Sequence, residues 1–227
     1  MRINDDFETP VLVNTEDLPW LPSPAAGVHR RMLFRIGEEV ARATSIVRYA
    51  PESTFPRHTH GGGEEIVVLD GVFQDEHGDY PAGSYFRNPP GTSHVPASKH
   101  GCTIFVRLWQ FRENDHEQIV RLPGDGRELI PRGGAARALE LFNDGHEEVR
   151  IEDWTPGGLI AVQNPRGLEL LLIEGSLVVD GQVVTTQGWV RLPRGETLEA
   201  LVGSEGAKVW LKNGPLLHAE VCQFLGR

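Results

Sequence analysis

The chain has 227 residues, 22 Lys+Arg against 32 Asp+Glu, a formal net charge of −10 and a pI near 5.4. No basic cluster appears, which argues against phosphate-backbone binding, and no run approaches the ~18 apolar residues that a membrane span needs. The two cysteines, Cys102 and Cys222, lie far apart and form no disulfide framework. Together with the polar start at Met1-Arg2-Ile3-Asn4-Asp5-Asp6 they suggest a cytoplasmic protein.

Glycine (26) and proline (16) are spread along the whole chain and imply frequent tight turns, hence mostly strands. Residues 1–27 carry Pro10, Pro19, Pro22 and Pro24 and read as an extended arm, because proline excludes helix interiors and central strands. Residues 28–115 read as a first β unit. Ala43-Thr44-Ser45-Ile46-Val47-Arg48-Tyr49 is an alternating, β-branched strand that Pro51 ends, and Glu65-Ile66-Val67-Val68-Leu69 is a short strand ended at Gly71. Asp75-Glu76-His77-Gly78-Asp79 is a charged hairpin tip, Pro89-Pro90-Gly91 a turn, and Thr103 to Phe111 a closing strand. Short strands at this spacing predict a sandwich or barrel. Residues 116–134 read as a solvated linker, and 135–227 as a second β unit.

The second unit echoes the first. Gly71, Pro89 and Gly91 recur 104 positions later as Gly175, Pro193 and Gly195, and Phe105-Val106-Arg107-Leu108 returns as Val209-Trp210-Leu211-Lys212. A steady offset over so long a span argues duplication of one β unit.

The chemistry concentrates in His58-Thr59-His60-Gly61-Gly62-Gly63-Glu64 and in His94. Histidines at i and i+2 of an extended segment point the same way, and the glycines allow a tight return to Glu64. Three imidazoles and a carboxylate meeting inside a β fold make a complete donor set for one divalent transition metal, and these donors suit zinc, iron, manganese, nickel or copper. Glu65 competes with Glu64; neighbours on a strand face opposite sides, so one of them is the ligand, and the spacing to Gly71 favours Glu64. At the 104-residue offset the second unit has Val162, Asn164, Leu168 and Leu198, so a single metal site is expected, in the first half. His29, His77, His100, His116, His146 and His218 read as surface residues, Cys102 as a small apolar packer, and Trp154, Trp189 and Trp210 as core.

His58-x-His60-x3-Glu64-x6-Gly71 and Gly83-x5-Pro89-x-Gly91-x2-His94 resemble the two cupin motifs, and Ala41 through His94 is similar to the ChrR-type cupin subfamily. The resemblance implies an all-β chain of two tandem jelly-roll (double-stranded β-helix) barrels, with ligands His58, His60, Glu64 and His94 and one vacant barrel. Ser98 stands where the second motif usually ends in Asn. The subfamily includes the zinc-holding domain of an anti-sigma factor and iron dioxygenases that cleave diketones and hydroxyketones. It therefore implies a zinc-binding regulatory or sensor-type bicupin, with an iron dioxygenase as the alternative. A sigma-factor partner follows from the family analogy alone, since nothing here matches the separate sigma-gripping zinc domain. A small-molecule ligand and a homodimer are the other partners expected; nucleic acid and membrane are not.

Overall fold

A computed structural model describes residues 1–216, so His218 and Cys222 lie outside the described residues. Those residues are strands, turns and one 3-10 turn at Thr15–Asp17, and no helix is long and apolar enough to cross a membrane. The described residues divide into two units, Met1–Asp5 with Leu18–Gly124, and Asp6–Asp17 with residues 125–216.

In the first unit the antiparallel order is Arg2–Ile3, Val28–Gly37, Ala41–Tyr49, Cys102–Leu108, Glu64–Asp75, Tyr85–Asn88, Ile119–Arg121. A separate two-stranded ribbon pairs His58–Thr59 with Ser93–His94. The interior is a cluster including Tyr49, Ile66, Val68, Phe73, Phe86, Cys102, Ile104 and Val106, which is what alternation along these strands delivers to one face. The other face is buried too. There Glu65 sits opposite Arg87 on one neighbouring strand and Arg107 on the other. Tyr85 Oη donates to Glu65 Oε1 at 2.6 Å, and Arg87 reaches Asp115 at 2.8 Å.

In the second unit the order is Arg127–Glu128, Ala135–Asn143, Glu148–Trp154, Leu198–Asn213, Leu168–Val179, Trp189–Leu192, Val11–Val13. Its apolar interior cluster includes Val162, Leu168, Leu198 and Trp154. Trp189 and Trp210 are fully buried. The strands Glu64–Asp75 and Leu168–Val179 have the same length and nearly the same burial pattern, the physical trace of duplication.

Several expectations need adjusting. The arm at 1–27 is strand-bearing and is shared: Arg2–Ile3 and Leu21–Pro22 pair with Val28–Gly37, while Val11–Val13 pairs with Trp189–Leu192. Residues 116–134, read as a solvated linker, give Ile119–Arg121 to the first sheet and Arg127–Glu128 to the second, with Ile119 buried. Gly71 does not end its strand; it takes a φ of +70° within a strand that runs on to Asp75. The repeat also slips by one residue. Arg107 pairs with Glu65 and Lys212 with Glu169, so the last strand of the unit is offset by 105, with one residue inserted between Leu198 and Gly206.

Candidate metal centre

Backbone pairing places the donors. His58 lies directly opposite His94 in the two-stranded ribbon, and His60 is fixed by backbone bonds to Thr92 and Gly91, both at 2.9 Å. Glu64 opens its strand between Asn88 and Leu108. The three glycines before it do more than turn. A Cβ on Gly61 or Gly62 would come within 2.6 or 2.5 Å of the Trp109 ring, and one on Gly63 within 2.3 Å of Phe111. Trp109 and Phe111 therefore press on bare backbone, and each donates its N–H to the loop, to Gly63 O at 3.0 Å and Gly62 O at 3.3 Å.

One donor atom from each of His58, His60, Glu64 and His94 lies within 4.8 Å of the other three. Glu64 Oε2 is 3.2 Å from His60 Nε2 and 3.2 Å from His94 Nε2. Two atoms held about 2.1 Å from one ion are about 3.0 Å apart at a right angle and about 3.4 Å apart at a tetrahedral one, so this spacing suits a shared ion. The Nε2 atoms of His60 and His94 are buried and make no geometrically sound hydrogen bond. A buried polar atom without such a partner is uncommon and invites a ligand.

The other ring nitrogens are engaged. His58 Nδ1 lies 3.1 Å from Pro56 O, which can only accept. His60 Nδ1 lies 2.8 Å from Thr92 Oγ1, whose own proton goes to Pro89 O at 2.7 Å. Both Nδ1 atoms thus carry hydrogen, which leaves Nε2 bare for a metal. His94 Nδ1 lies 3.2 Å from Asp75 Oδ2. Asn88 Nδ2 donates to Glu64 Oε2 at 3.3 Å and Asn88 Oδ1 accepts from Gln118.

The cluster polarises itself. Burial alone would push Glu64 up, but the three imidazoles hold its carboxyl down at about 2. Burial alone would push His94 down, yet the carboxylates of Asp75 and Glu64 raise it to about 9. His60 is lowered, chiefly by burial, which favours the neutral ring a metal needs.

The structure therefore brings together the four expected residues and separates them from the rest. Glu65 points to the opposite face, but it is buried with Tyr85 and Arg107 rather than solvated. His77, His100, His116 and His146 are exposed, His29 is half-buried, and Cys102 is a core residue whose thiol burial pushes up to about 11. In the second unit Val162 pairs with Leu198 as His58 pairs with His94, while Asn164 caps its own turn through Pro193 O and Gly167 N. Among the residues that touch the site, Asp75, Thr92 and Asn88 escaped the sequence reading. Asp75 is eleven positions after Glu64 and on an unbroken strand would face the other way; the bulge ahead of Gly71 adds a residue and turns Phe73 and Asp75 inward.

Solved structures of the same architecture show the fold. A Nostoc punctiforme protein provisionally named a dioxygenase is 16% identical, with TM-score 0.70 over 97% of this chain and 88% of that one. The bacterial pirin YhhW of Escherichia coli, solved with nickel(II), is 13% identical, with TM-score 0.67 over 92% and 100%. The oxalate decarboxylase of Bacillus subtilis, studied for its Mn(II) centres, is 15% identical, with TM-score 0.60 over 92% and 78%. A comparison with curated proteins finds no significant match. The molecule is a cupin-fold protein of two barrels, one of them carrying a cluster suited to a single metal ion. More narrowly, residues 8–112, which include all four donors, match the model of the family described as ChrR Cupin-like domain.

Proposed function

We propose that this protein holds one divalent transition metal, zinc, in its first barrel and works as a zinc-binding regulatory or sensor-type cupin. One observation carries the reading: four donors converge, and the buried Nε2 atoms of His60 and His94 both close on Glu64 Oε2 at 3.2 Å. A bound zinc would cross-link the ribbon of His58 and His94 to the strand of Glu64, making the local fold of this barrel depend on the ion. His58, His60 and His94 supply neutral imidazoles, and Glu64 supplies the single negative charge. Four protein donors complete a tetrahedral shell.

A second reading is an iron dioxygenase acting on a small diketone or hydroxyketone. What favours it is that His58 is only half-buried, so one side of the cluster meets solvent and a substrate could approach there. A bound iron would supply Lewis-acid and oxygen-handling chemistry. The residues around it, Phe55 against His58 and Phe73 against His94, would give an approaching ligand an apolar wall.

Elemental analysis of protein from metal-replete cells, with coordination read by X-ray absorption, separates the two. One four-coordinate zinc per chain, lost in His58→Ala and His94→Ala, is the expected result. Iron with open positions, and oxygen uptake with a diketone that His94→Ala abolishes, would move the assignment to the dioxygenase. Full metal stoichiometry in both alanine variants would remove the site itself.

A further inference from the structure

We propose that Asp75 is a positioning residue that fixes the tautomer and the aim of His94, so that a bare Nε2 faces the metal; this rests on the four-residue cluster being the metal site. His58 and His60 lean on neutral acceptors, a carbonyl and a hydroxyl, whereas His94 leans on a carboxylate. Carboxylate–histidine–metal triads hold the ring in place and make it a stronger donor.

Asp75 is itself held. Its Oδ1 accepts the backbone N–H of His77 at 2.8 Å and the Tyr80 hydroxyl at 3.3 Å, which leaves Oδ2 for His94 Nδ1 at 3.2 Å. The hairpin tip that carries it is tied to the chain around His94. Glu76 Oε2 accepts Val95 N at 2.7 Å, Glu76 Oε1 accepts Arg57 at 2.6 Å, and Gln74 Oε1 accepts Lys99 N at 2.8 Å. The charged tip is therefore a bracket built around the segment that presents His94. Phe73, on the same strand as Asp75, packs its ring 5.9 Å from that of His94 and limits how the imidazole can tilt.

This bonding pattern makes a sharp distinction between two substitutions. In Asp75→Asn the fixed backbone donor of His77 claims the amide oxygen, and the amide NH₂ then faces His94 Nδ1. That nitrogen must accept, so its proton moves to Nε2, the atom aimed at the metal. In Asp75→Ala the partner is lost but neither tautomer is imposed. A residue that only packs would rank the variants the other way, because Asn fills the space of Asp and Ala does not.

The test is cobalt(II) titration of the full chain, read by the d–d absorption of the bound ion, for wild type, Asp75→Asn and Asp75→Ala. Wild type should bind one cobalt(II). Asp75→Asn should bind about 10- to 100-fold more weakly, with an altered absorption band, and more weakly than Asp75→Ala. Metal-free Asp75→Asn should still unfold in one cooperative transition, at a somewhat lower denaturant concentration near neutral pH because the carboxylate beside His94 is gone. Wild-type affinity in Asp75→Asn, or an order with Ala weaker than Asn, would overturn the role of Asp75 and leave the site standing. Failure of wild type itself to bind cobalt(II) would instead overturn the site.

Discussion

His94 stands between two carboxylates, Asp75 at Nδ1 and Glu64 at Nε2, each at 3.2 Å. In the metal-free protein this raises its pKa to about 9 from an ordinary value of ~6.5. A raised histidine contributes stability that is complete below ~6.5 and is lost as pH climbs through about 9. Glu64 is depressed to about 2, so its contribution is complete above ~4.5 and is lost only as pH falls toward 2. Urea midpoints measured with chelator present should therefore decline from pH 6.5 to pH 9 through the His94 contribution, and His94→Gln should flatten that decline. Metal binding runs the other way, because the ion must displace the His94 proton. Zinc affinity by competition should rise about tenfold per pH unit and level off above pH 9. A pH-independent affinity over this range would contradict the charged state assigned to His94.

At the scale of elements, the site depends on where backbone approaches backbone or ring. Gly71 and Gly175 take φ of +70° and +87°, and a Cβ on either would come 2.2 or 2.0 Å from a carbonyl oxygen, of Gly101 or Gly206. Neither position has room for a side chain, and in the first unit the associated bulge turns Asp75 toward His94. The Gly61–Gly63 loop is pressed by Trp109 and Phe111 in the same way. Gly62→Ala should push the loop off Trp109, lowering stability by about 1–3 kcal/mol and weakening metal binding. Denaturation of the metal-free variant and cobalt(II) titration measure the two effects separately. Trp109→Ala combined with Gly62→Ala should recover part of the lost affinity, since it removes the ring contacts at 2.5 Å and leaves only the Trp109 Cα at 2.8 Å.

At the scale of the molecule, one β unit occurs twice with apolar cores that differ at one end. The first barrel spends its interior on a polar cluster at one end, where its strand is interrupted between Ser93–His94, Ala97–Ser98 and Cys102–Leu108. The second runs the corresponding segment as one strand, Leu198–Asn213, and fills the same positions with Val162, Leu168 and Leu198. Its outer-face charges nevertheless persist, with Glu169 set between Arg191 and Lys212 as Glu65 is between Arg87 and Arg107. Leu168→Ala, at the position that matches Glu64, should cost about 2–5 kcal/mol from a new cavity while metal stoichiometry stays unchanged. Loss of bound metal in that variant would place a ligand in the second unit.

The strand-rich duplication, the cupin motifs and the four converging side chains were all legible in local pattern. Local periodicity and glycine spacing carry that information, as His58-x-His60 and the 104-residue offset show. The sequence did not reveal Asp75, Thr92 or Asn88, the buried pairing of Glu65, or the sharing of residues 1–17 between two units. A bulge reverses strand parity without leaving a distinctive residue pattern, and a buried charge on a sheet's outer face reads in sequence like a solvated one. Those features depend on which strands become neighbours, and only the tertiary structure settles that.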